Sequence, residues 1–388
     1  MSGSESNNRP ASRTDGASAF VERLIKPEIL AMSAYPVAPS VGLTKLDAME
    51  NPYSWPDEMV QQWLEQLRGA EVNRYPDAAA TQLKSTLMRV LRVPQGAQVL
   101  LGNGSDELIQ LLVMALAGPG RTVLTPEPSF AMYRLVSVFT GSDHVAVPLR
   151  EDWSLDREAM LAAIETHQPS LIFLAYPNNP TGNLFDTGDM EAVIRAAPGL
   201  VVVDEAYEPF AQRTFMDRIQ QAPNLVVMRT VSKLGLAGLR LGLLTGAADW
   251  IRELEKLRLP YNINVLTQIT AGFALEHYPL LAEQAATIRR DRAGLAERLA
   301  RFDSLQVWPS EANFLLVRVH DRSAREVAAA LRQEGVLIRV LDGSSPALAG
   351  CLRISVGTPR ENDQLLGALE RILGHGRPGG AGELTPSP

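Results

Sequence analysis

The chain of 388 residues is moderately acidic, with 37 Lys and Arg against 44 Asp and Glu and a formal net charge of −7. It contains no basic tract, which argues against nucleic acid as a partner, and no apolar run near the ~20 residues that would place it in a membrane. Its 46% hydrophobic content is ordinary for a globular protein with room for two domains. The one cysteine, Cys351, cannot form an internal disulfide, so we expect a cytoplasmic protein.

Both ends of the chain have compositions that predict disorder. Residues 1–20 are rich in Ser, Asn, Arg and Gly and lack the apolar core of a signal peptide. Residues 376–388 are mostly Gly and Pro. We therefore expect the folded part to begin near residue 21 and to end near residue 375.

Between these ends, apolar strand candidates alternate with helix candidates as far as Pro260. The strand candidates are 98–102, 122–125, 144–149, 170–176, 200–203, 225–231 and 240–245. The helix candidates are 106–117, 129–140, 156–167, 186–197 and 248–258. Such alternation predicts an α/β fold in which helices cover both faces of a mostly parallel, seven-stranded sheet.

After Pro260 the pattern changes. A long helix is predicted over 264–302, with a break near Tyr278-Pro279. Shorter elements follow, namely strands at 305–308, 313–319 and 351–355 and helices at 323–334 and 361–373. This part predicts a second, smaller α+β domain.

Three consecutive strand candidates end in polar residues that carry chemistry. Asn179 follows 170–176, Asp204 and Tyr207 follow 200–203, and Lys233 follows 225–231. The carboxyl ends of parallel strands meet at one edge of a sheet, where α/β proteins bind ligands. A buried lysine has a lowered pKa, so part of it is the nucleophilic free base that imine formation needs.

Each of these residues also has an ordinary interpretation. The lysine could extend to solvent, Asn179 could belong to a plain turn, and Asp204 could cap a helix. Together, however, they are the groups that pyridoxal phosphate requires: an imine-forming lysine, a carboxylate for the pyridinium nitrogen, and hydrogen-bond donors for the phenolic oxygen.

The glycine-rich turn at 102–106 is the candidate phosphate site. Gly104, Ser105 and Asp106 lie where a strand leads into a helix, and backbone N–H groups at a helix N-terminus bind phosphate. The same residues would also make a good helix start, with Ser105 or Asp106 as the N-cap.

These motifs resemble those of the fold-type I, pyridoxal-phosphate-dependent aminotransferases of the class II subfamily and, within that group, the histidinol-phosphate aminotransferases. The resemblance runs from about residue 35 to 372. The matching segments, in order, are 45–53, 73–77, 102–107, 177–182, 204–207, 232–240 and 350–358. Each segment is short, and the ordered set carries the resemblance.

The resemblance assigns cofactor roles to further residues. Ser232 and Arg240 would bind the phosphate, although the spacing from Lys233 to Arg240 is one residue shorter than is common in the family. Phe130 would stack on the cofactor ring, or is simply a core aromatic at a helix start. Tyr75 would reach the cofactor phosphate of a partner subunit in a homodimer, or is a turn residue before proline.

The resemblance also assigns a substrate side to the site. Tyr35 and Asn51 match substrate-side positions, whereas Met49 stands where the family more often has Asn. Arg353 would hold the substrate carboxylate with two parallel hydrogen bonds, unless it is a solvated or paired strand arginine. Arg339 is a second basic group near the same mouth, which suits a site that must accept both glutamate and a phosphate monoester.

The resemblance further implies how the domains are arranged. Residues 21–60 would join 263–375 in the small domain, and residues 61–262 would form the large, cofactor-binding domain between them. The five histidines, His144, His167, His277, His320 and His375, show no metal-ligand spacing, so we expect no metal.

The activity that the resemblance implies is the transfer of the amino group of L-histidinol phosphate to 2-oxoglutarate. The products would be imidazole acetol phosphate and glutamate, on the histidine biosynthesis pathway. Two alternatives remain: an aromatic amino-acid aminotransferase, and a lyase similar to the threonine-phosphate decarboxylases. A regulatory protein that only binds the cofactor would need a DNA-binding module, and the segment before residue 35 is too short and not basic enough.

Overall fold

The computed structural model describes residues 17–34 and 37–374. The chain divides into two units, Met1–Pro39 and Ser40–Pro388. In the first unit, the described residues form two short helices, α1 Ala17–Leu24 and α2 Pro27–Leu30. Residues 17–20 of the segment predicted to be disordered are therefore helical. The earlier part of that segment and the predicted tail lie outside the described residues.

The second unit holds the remaining strands and helices. Its strands are β1 Thr44–Leu46, β2 Ala97–Gly102, β3 Thr122–Glu127, β4 Asp143–Pro148, β5 Leu171–Ala175, β6 Leu200–Asp204, β7 Leu225–Thr230, β8 Gly242–Ala247, β9 Leu305–Val307, β10 Phe314–Val319, β11 Val336–Val340 and β12 Cys351–Ser355. Its α-helices are α3 Asp57–Leu67, α4 Thr81–Val90, α5 Gly104–Leu116, α6 Ala131–Thr140, α7 Arg157–His167, α8 Thr187–Ala196, α9 Glu208–Ala211, α10 Ala248–Glu255, α11 Val265–Glu276, α12 Tyr278–Leu299, α13 Ala324–Gln333 and α14 Pro359–Leu373.

Seven strands form the larger sheet, in the order β2-β8-β7-β6-β5-β3-β4. The pairs β4-β3, β3-β5, β5-β6 and β6-β7 are parallel. Only β8 runs against its neighbours β7 and β2. The predicted α/β fold with a mostly parallel seven-stranded sheet is confirmed.

The central strands are buried on both faces, which explains why their sequences are continuous apolar runs. Every residue of β5, β6 and β7 is buried. Side chains alternate between the two faces: Leu171 and Phe173 pack with α5, α6 and α10, whereas Ile172 and Leu174 pack with α7 and α8. The large sheet is therefore the middle layer of an α/β/α arrangement.

The predicted break in the long helix is present at His277, between α11 and α12. Pro279 lies in the first turn of α12, where a missing backbone N–H leaves no hydrogen bond unmade. Although α12 is 22 residues long, no helix within the described ranges is both long and apolar enough to cross a bilayer.

The second sheet has five strands in the order β1-β11-β12-β10-β9. It packs against α12, α13 and α14 through residues such as Leu299, Leu331 and Leu365. The sequence analysis did not predict β1 or β11, which pair in parallel with Lys45 opposite Leu337. This pairing attaches a segment that precedes the large sheet to the C-terminal strands. The proposed domain bounds at residues 60 and 262 stay a prediction.

Candidate active site

A cavity of about 110 Å³ lies at the carboxyl ends of β5, β6 and β7, beside the first turn of α5. Its wall includes nine of the residues predicted to hold a cofactor: Ser105, Asp106, Phe130, Asn179, Asp204, Tyr207, Ser232, Lys233 and Arg240. The rest of the wall is formed by Met49, Tyr133, Ala175, Pro177, Ala206 and Thr230. The structure thus brings together side chains that the strand-end argument expected at one edge of the sheet.

One end of the cavity has the features of an anion site. Gly104 begins α5 with φ +82°, and a Cβ on this residue would lie 2.7 Å from Nη2 of Arg240. On β8, a Cβ on Gly242 would lie 2.8 Å from the backbone nitrogen of Ser105. Because the two glycines have no side chains, the first turn of α5, strand β8 and the guanidinium of Arg240 can approach one another closely. Backbone N–H groups at a helix N-terminus together with an arginine form a phosphate-binding site.

The short connection from Lys233 to Arg240 is folded into two 3-10 turns, Ser232–Leu234 and Ala237–Leu239. Gly235 joins them with φ +103°, a conformation that favours glycine. Arg240 also has a positive φ, of 49°, and its Nη2 lies 3.2 Å from Oδ2 of Asp106. The shortened loop therefore still delivers Arg240 to the cavity wall.

Lys233 is partly buried, and its Nζ donates a hydrogen bond to the backbone oxygen of Ala48 at 3.3 Å. The amine also lies 5.6 Å from the centre of the Tyr207 ring. Burial lowers the pKa of Lys233 to about 8, and the positive charges of Arg353 and Arg240 act in the same direction. An appreciable part of this lysine is therefore the neutral, nucleophilic amine near neutral pH.

Asp204 ends β6 and is 4% exposed. Its Oδ1 accepts a hydrogen bond from the backbone N–H of Ala206 at 3.0 Å, and its Oδ2 accepts one from the hydroxyl of Tyr133 at 2.7 Å. Burial raises the pKa of Asp204 to about 6, and the two hydrogen bonds oppose this shift. A buried carboxylate at the cavity wall is suited to pairing with a protonated ring nitrogen.

The sequence analysis missed Tyr133. A signal was available, because Tyr133 lies three residues after Phe130 and residues at this spacing share one face of a helix. The two rings are in edge contact, with centroids 5.6 Å apart. Nothing local in the sequence, however, links Tyr133 to Asp204.

Asn179 connects two of the predicted site residues. Its Nδ2 donates to the hydroxyl of Tyr207 at 3.2 Å, and its Oδ1 accepts from Nη1 of Arg353 at 2.7 Å. Arg353, which is 8% exposed, also donates from Nη2 to the backbone oxygen of Asp47 at 3.0 Å. The guanidinium therefore fixes the orientation of the amide, and the amide directs a donor toward Tyr207 and the cavity.

Met49 takes a backbone conformation that is rare for its residue type. Its φ is +52°, and its backbone is held by the Ser355 hydroxyl, which accepts from the N–H at 2.8 Å, and by Asn313, which donates to the carbonyl at 2.9 Å. Asn adopts this left-handed conformation more readily than Met. A strained residue in a cavity wall indicates a functional constraint.

The remaining predicted residues that the structure describes are not part of the cavity wall. Asn51 donates to Gln284 at 2.9 Å and to the backbone oxygen of Leu234 at 3.3 Å, so it supports the turn that carries the lysine. Arg339 lies on β11 directly opposite Arg353 on β12. Tyr75 is 81% exposed, and Tyr35 lies outside the described residues. Within the described ranges, no group of three or more His, Cys, Asp or Glu side chains could hold a metal ion.

Residues 41–369 match the family described as aminotransferase class I and II. The chain therefore belongs to this family, and it is an aminotransferase. The arrangement of the cavity agrees with this class, because it combines a helix N-terminus beside an arginine, a lysine with a lowered pKa and a buried carboxylate.

Several proteins similar to this chain are named histidinol-phosphate aminotransferases. The chain is 52% identical over 350 residues to histidinol-phosphate aminotransferase 2 of Nitrosococcus oceani, covering 90% of this chain and 97% of that protein. It is 52% identical over 360 residues to histidinol-phosphate aminotransferase 2 of Cupriavidus pinatubonensis, covering 92% and 98%. A solved structure of histidinol-phosphate aminotransferase from Sinorhizobium meliloti in complex with pyridoxal-5'-phosphate superimposes with a TM-score of 0.80 at 28% identity, covering 90% and 97%.

Proposed function

We propose that this protein transfers the amino group of L-histidinol phosphate to 2-oxoglutarate, with pyridoxal phosphate as cofactor, in histidine biosynthesis. The observation that carries the proposal is the convergence of Lys233, Asp204 and Arg240 on one cavity, in a chain 52% identical to named histidinol-phosphate aminotransferases. We also propose a cytoplasmic location, in keeping with the single, free Cys351.

The residues of the cavity fit pyridoxal phosphate group by group. The phosphate would lie in the space that a Cβ on Gly104 would fill. It would be held there by Ser105, Asp106, Ser232 and Arg240. Phe130 would stack on the ring, and Asp204 would hold the proton of the ring nitrogen. Tyr207 and Asn179 would donate hydrogen bonds to the ring oxygen, and Lys233 would hold the cofactor covalently.

When bound, pyridoxal phosphate supplies an electron sink for the carbanion that forms as the substrate Cα loses its proton. Lys233 Nζ is the group that we assign to that proton. With a pKa of about 8, its amine accepts the Cα proton readily near neutral pH, and its ammonium form can return a proton. Asp204 is unable to move far, because both its oxygens are held by hydrogen bonds.

Two arginines would recognise the substrates. Arg353 and Arg339 are directly opposed across the antiparallel pair β11-β12, so their side chains leave the same face of the sheet. Arg353 would bind the carboxylate of glutamate, and Arg339 would provide a second guanidinium for the phosphate monoester. Tyr35 and Asn51 remain proposed substrate-side residues, and Asn51 would act through the Leu234 turn.

The experiment that tests the function is a comparison of amine donors in the first half-reaction, followed through the absorbance of the bound cofactor. One charge-assisted hydrogen bond contributes roughly 1.5–3 kcal/mol, so histidinol phosphate should exceed histidinol in kcat/KM by at least ~10-fold. Glutamate should convert the cofactor to its amine form, and 2-oxoglutarate should reverse the change. A large preference for phenylalanine or tyrosine would favour the aromatic aminotransferase. Release of carbon dioxide from phosphothreonine would favour the lyase.

We further propose a homodimer in which Tyr75 contributes to the partner's active site. Tyr75 stacks on Tyr261 with ring centroids 4.4 Å apart, yet the two residues stay 81% and 42% exposed. Val72 and Leu259 are each 72% exposed. The stacked pair Tyr75 and Tyr261 therefore forms an exposed aromatic patch, which is typical of an interface between proteins.

The patch is connected to the phosphate end of the cavity. Asn262, which follows Tyr261, donates to the backbone oxygen of Leu101 at 3.2 Å and accepts from Asn103 at 2.9 Å. Asn103 directly precedes α5. A second copy seated on the patch would therefore come close to the anion site.

Mixing two inactive variants tests this dimer. In a heterodimer of Lys233→Ala and Tyr75→Ala subunits, one site carries both changes and the other is intact. Refolding the two variants together in equal amounts should therefore restore about a quarter of all sites, by two-fold symmetry. No recovery of activity, or a monomer in sedimentation equilibrium, would contradict the shared site.

A further inference from the structure

Tyr133 is a closely packed residue of the cavity wall. Its side chain is 1% exposed. Its ring stacks on Phe173 of β5, with centroids 4.5 Å apart and an angle of 5° between the planes. Phe130 covers the same ring edge-on. The ring therefore has one orientation available, and that orientation directs the hydroxyl at Asp204.

The hydroxyl of Tyr133 makes the shorter of the two hydrogen bonds to Asp204, 2.7 Å against 3.0 Å from the backbone of Ala206. Both donors are neutral. A carboxylate can accept about four hydrogen bonds, so these two leave acceptor capacity for a further partner. Asp204 lines the cavity, and the partner we proposed there is the protonated ring nitrogen of the cofactor.

We infer that Tyr133 is a positioning residue, and this inference rests on the proposed cofactor site. The hydroxyl of Tyr133 holds the Asp204 carboxylate ionised and in one orientation, so that the proton shared with the ring nitrogen stays on the nitrogen. Removing the hydroxyl disfavours the ionised carboxylate. The shared proton then moves toward Asp204, and the cofactor becomes a weaker electron sink.

The charges around Tyr133 and Asp204 agree with a tyrosine hydroxyl that keeps Asp204 ionised. Burial raises the pKa of Asp204, and donation from Tyr133 opposes the rise. Asp106 and Lys233 also act on Asp204, the first raising and the second lowering its pKa. Burial and the charge of Asp204 raise the pKa of Tyr133 well above its ordinary range, so the tyrosine keeps its proton and remains a donor.

The test compares wild type with Tyr133→Phe, which keeps the stacked ring and removes only the hydroxyl. Each holoenzyme is reconstituted with pyridoxal phosphate labelled with ¹⁵N in the ring, and the ¹⁵N chemical shift reports whether the nitrogen is protonated. Tyr53→Phe is the matched control, because Tyr53 donates to Asp291 at 2.9 Å and lies outside the cavity wall. Single-turnover rates with glutamate are measured on the same samples.

We expect a protonated ring nitrogen in wild type and in Tyr53→Phe. In Tyr133→Phe the ratio of ring-protonated to carboxyl-protonated forms should fall about tenfold, the effect of one pKa unit. The signal should move toward the unprotonated value. The maximal single-turnover rate should fall about tenfold, with less than a twofold change in the glutamate concentration that gives half of it. A protonated nitrogen and an unchanged rate in Tyr133→Phe would overturn the inference alone. An unprotonated nitrogen in wild type would instead overturn the proposed role of Asp204.

Discussion

Replacing Gly104 by alanine separates the stability of the α5 turn from its proposed phosphate binding. The added Cβ would lie 2.7 Å from Nη2 of Arg240, whereas ordinary contacts begin at 3.4 Å, so the guanidinium must retreat by at least about 0.7 Å. The end of an arginine side chain is flexible, and this movement costs little in the free protein. It does remove the guanidinium from the position in which it would bind the phosphate.

The two effects have different magnitudes. A left-handed conformation costs alanine about 1–2 kcal/mol relative to glycine, and reduced freedom of the unfolded chain offsets about 0.4–1 kcal/mol of that. The Gly104→Ala protein should therefore be about 1 kcal/mol less stable to unfolding. Loss of one charge-assisted hydrogen bond costs roughly 1.5–3 kcal/mol, so the dissociation constant for pyridoxal phosphate should rise roughly 10- to 150-fold.

Urea denaturation of the cofactor-free protein measures the first effect, and absorbance titration with pyridoxal phosphate measures the second. Gly238→Ala is the control: it lies in the same loop as Arg240, has no positive φ, and its Cβ would meet nothing within 4 Å. That variant should match wild type in affinity. If Gly104→Ala binds the cofactor as tightly as Gly238→Ala, the proposed phosphate cradle is wrong.

Three further predictions follow from the site. The cofactor-free protein should form its covalent bond to pyridoxal phosphate slowly while Lys233 is protonated, since only the neutral amine attacks. The rate should rise with pH through a midpoint near 8. Stopped-flow absorbance measures this rate, and a midpoint above 10 would contradict the lowered pKa. Asp204→Asn should still bind the cofactor but slow turnover by ~10³-fold or more, and steady-state rates near wild type would exclude Asp204 as the ring-nitrogen partner. Arg353→Lys should raise KM for glutamate about tenfold with a smaller change in kcat, because lysine cannot form the two parallel hydrogen bonds of a guanidinium; an unchanged KM would remove Arg353 from substrate binding.

The large sheet could be predicted from sequence because its central strands β5, β6 and β7 are buried on both faces. Each of the seven predicted strands begins and ends within two residues of the observed one. For the central strands the reason is that a buried parallel strand is a continuous apolar run that ends abruptly. The strands β1 and β11 were missed for the opposite reason. β1 has only three residues, and its partner lies almost 300 residues away in the chain, so what makes it a strand is a tertiary contact.

The site residues that the sequence revealed are likewise those encoded locally, whereas the residues that it missed depend on contacts distant in the chain. Lys233, Asp204 and Asn179 each follow an apolar strand, so their position relative to the sheet was encoded locally. The partners that control them are distant in sequence: the Tyr133 hydroxyl is 71 residues from Asp204, and Arg353 is 174 residues from Asn179. A sequence pattern could therefore identify which groups meet a ligand. The protonation state of Asp204 and the orientation of the Asn179 amide depend on packing between elements, and only the three-dimensional structure provides that.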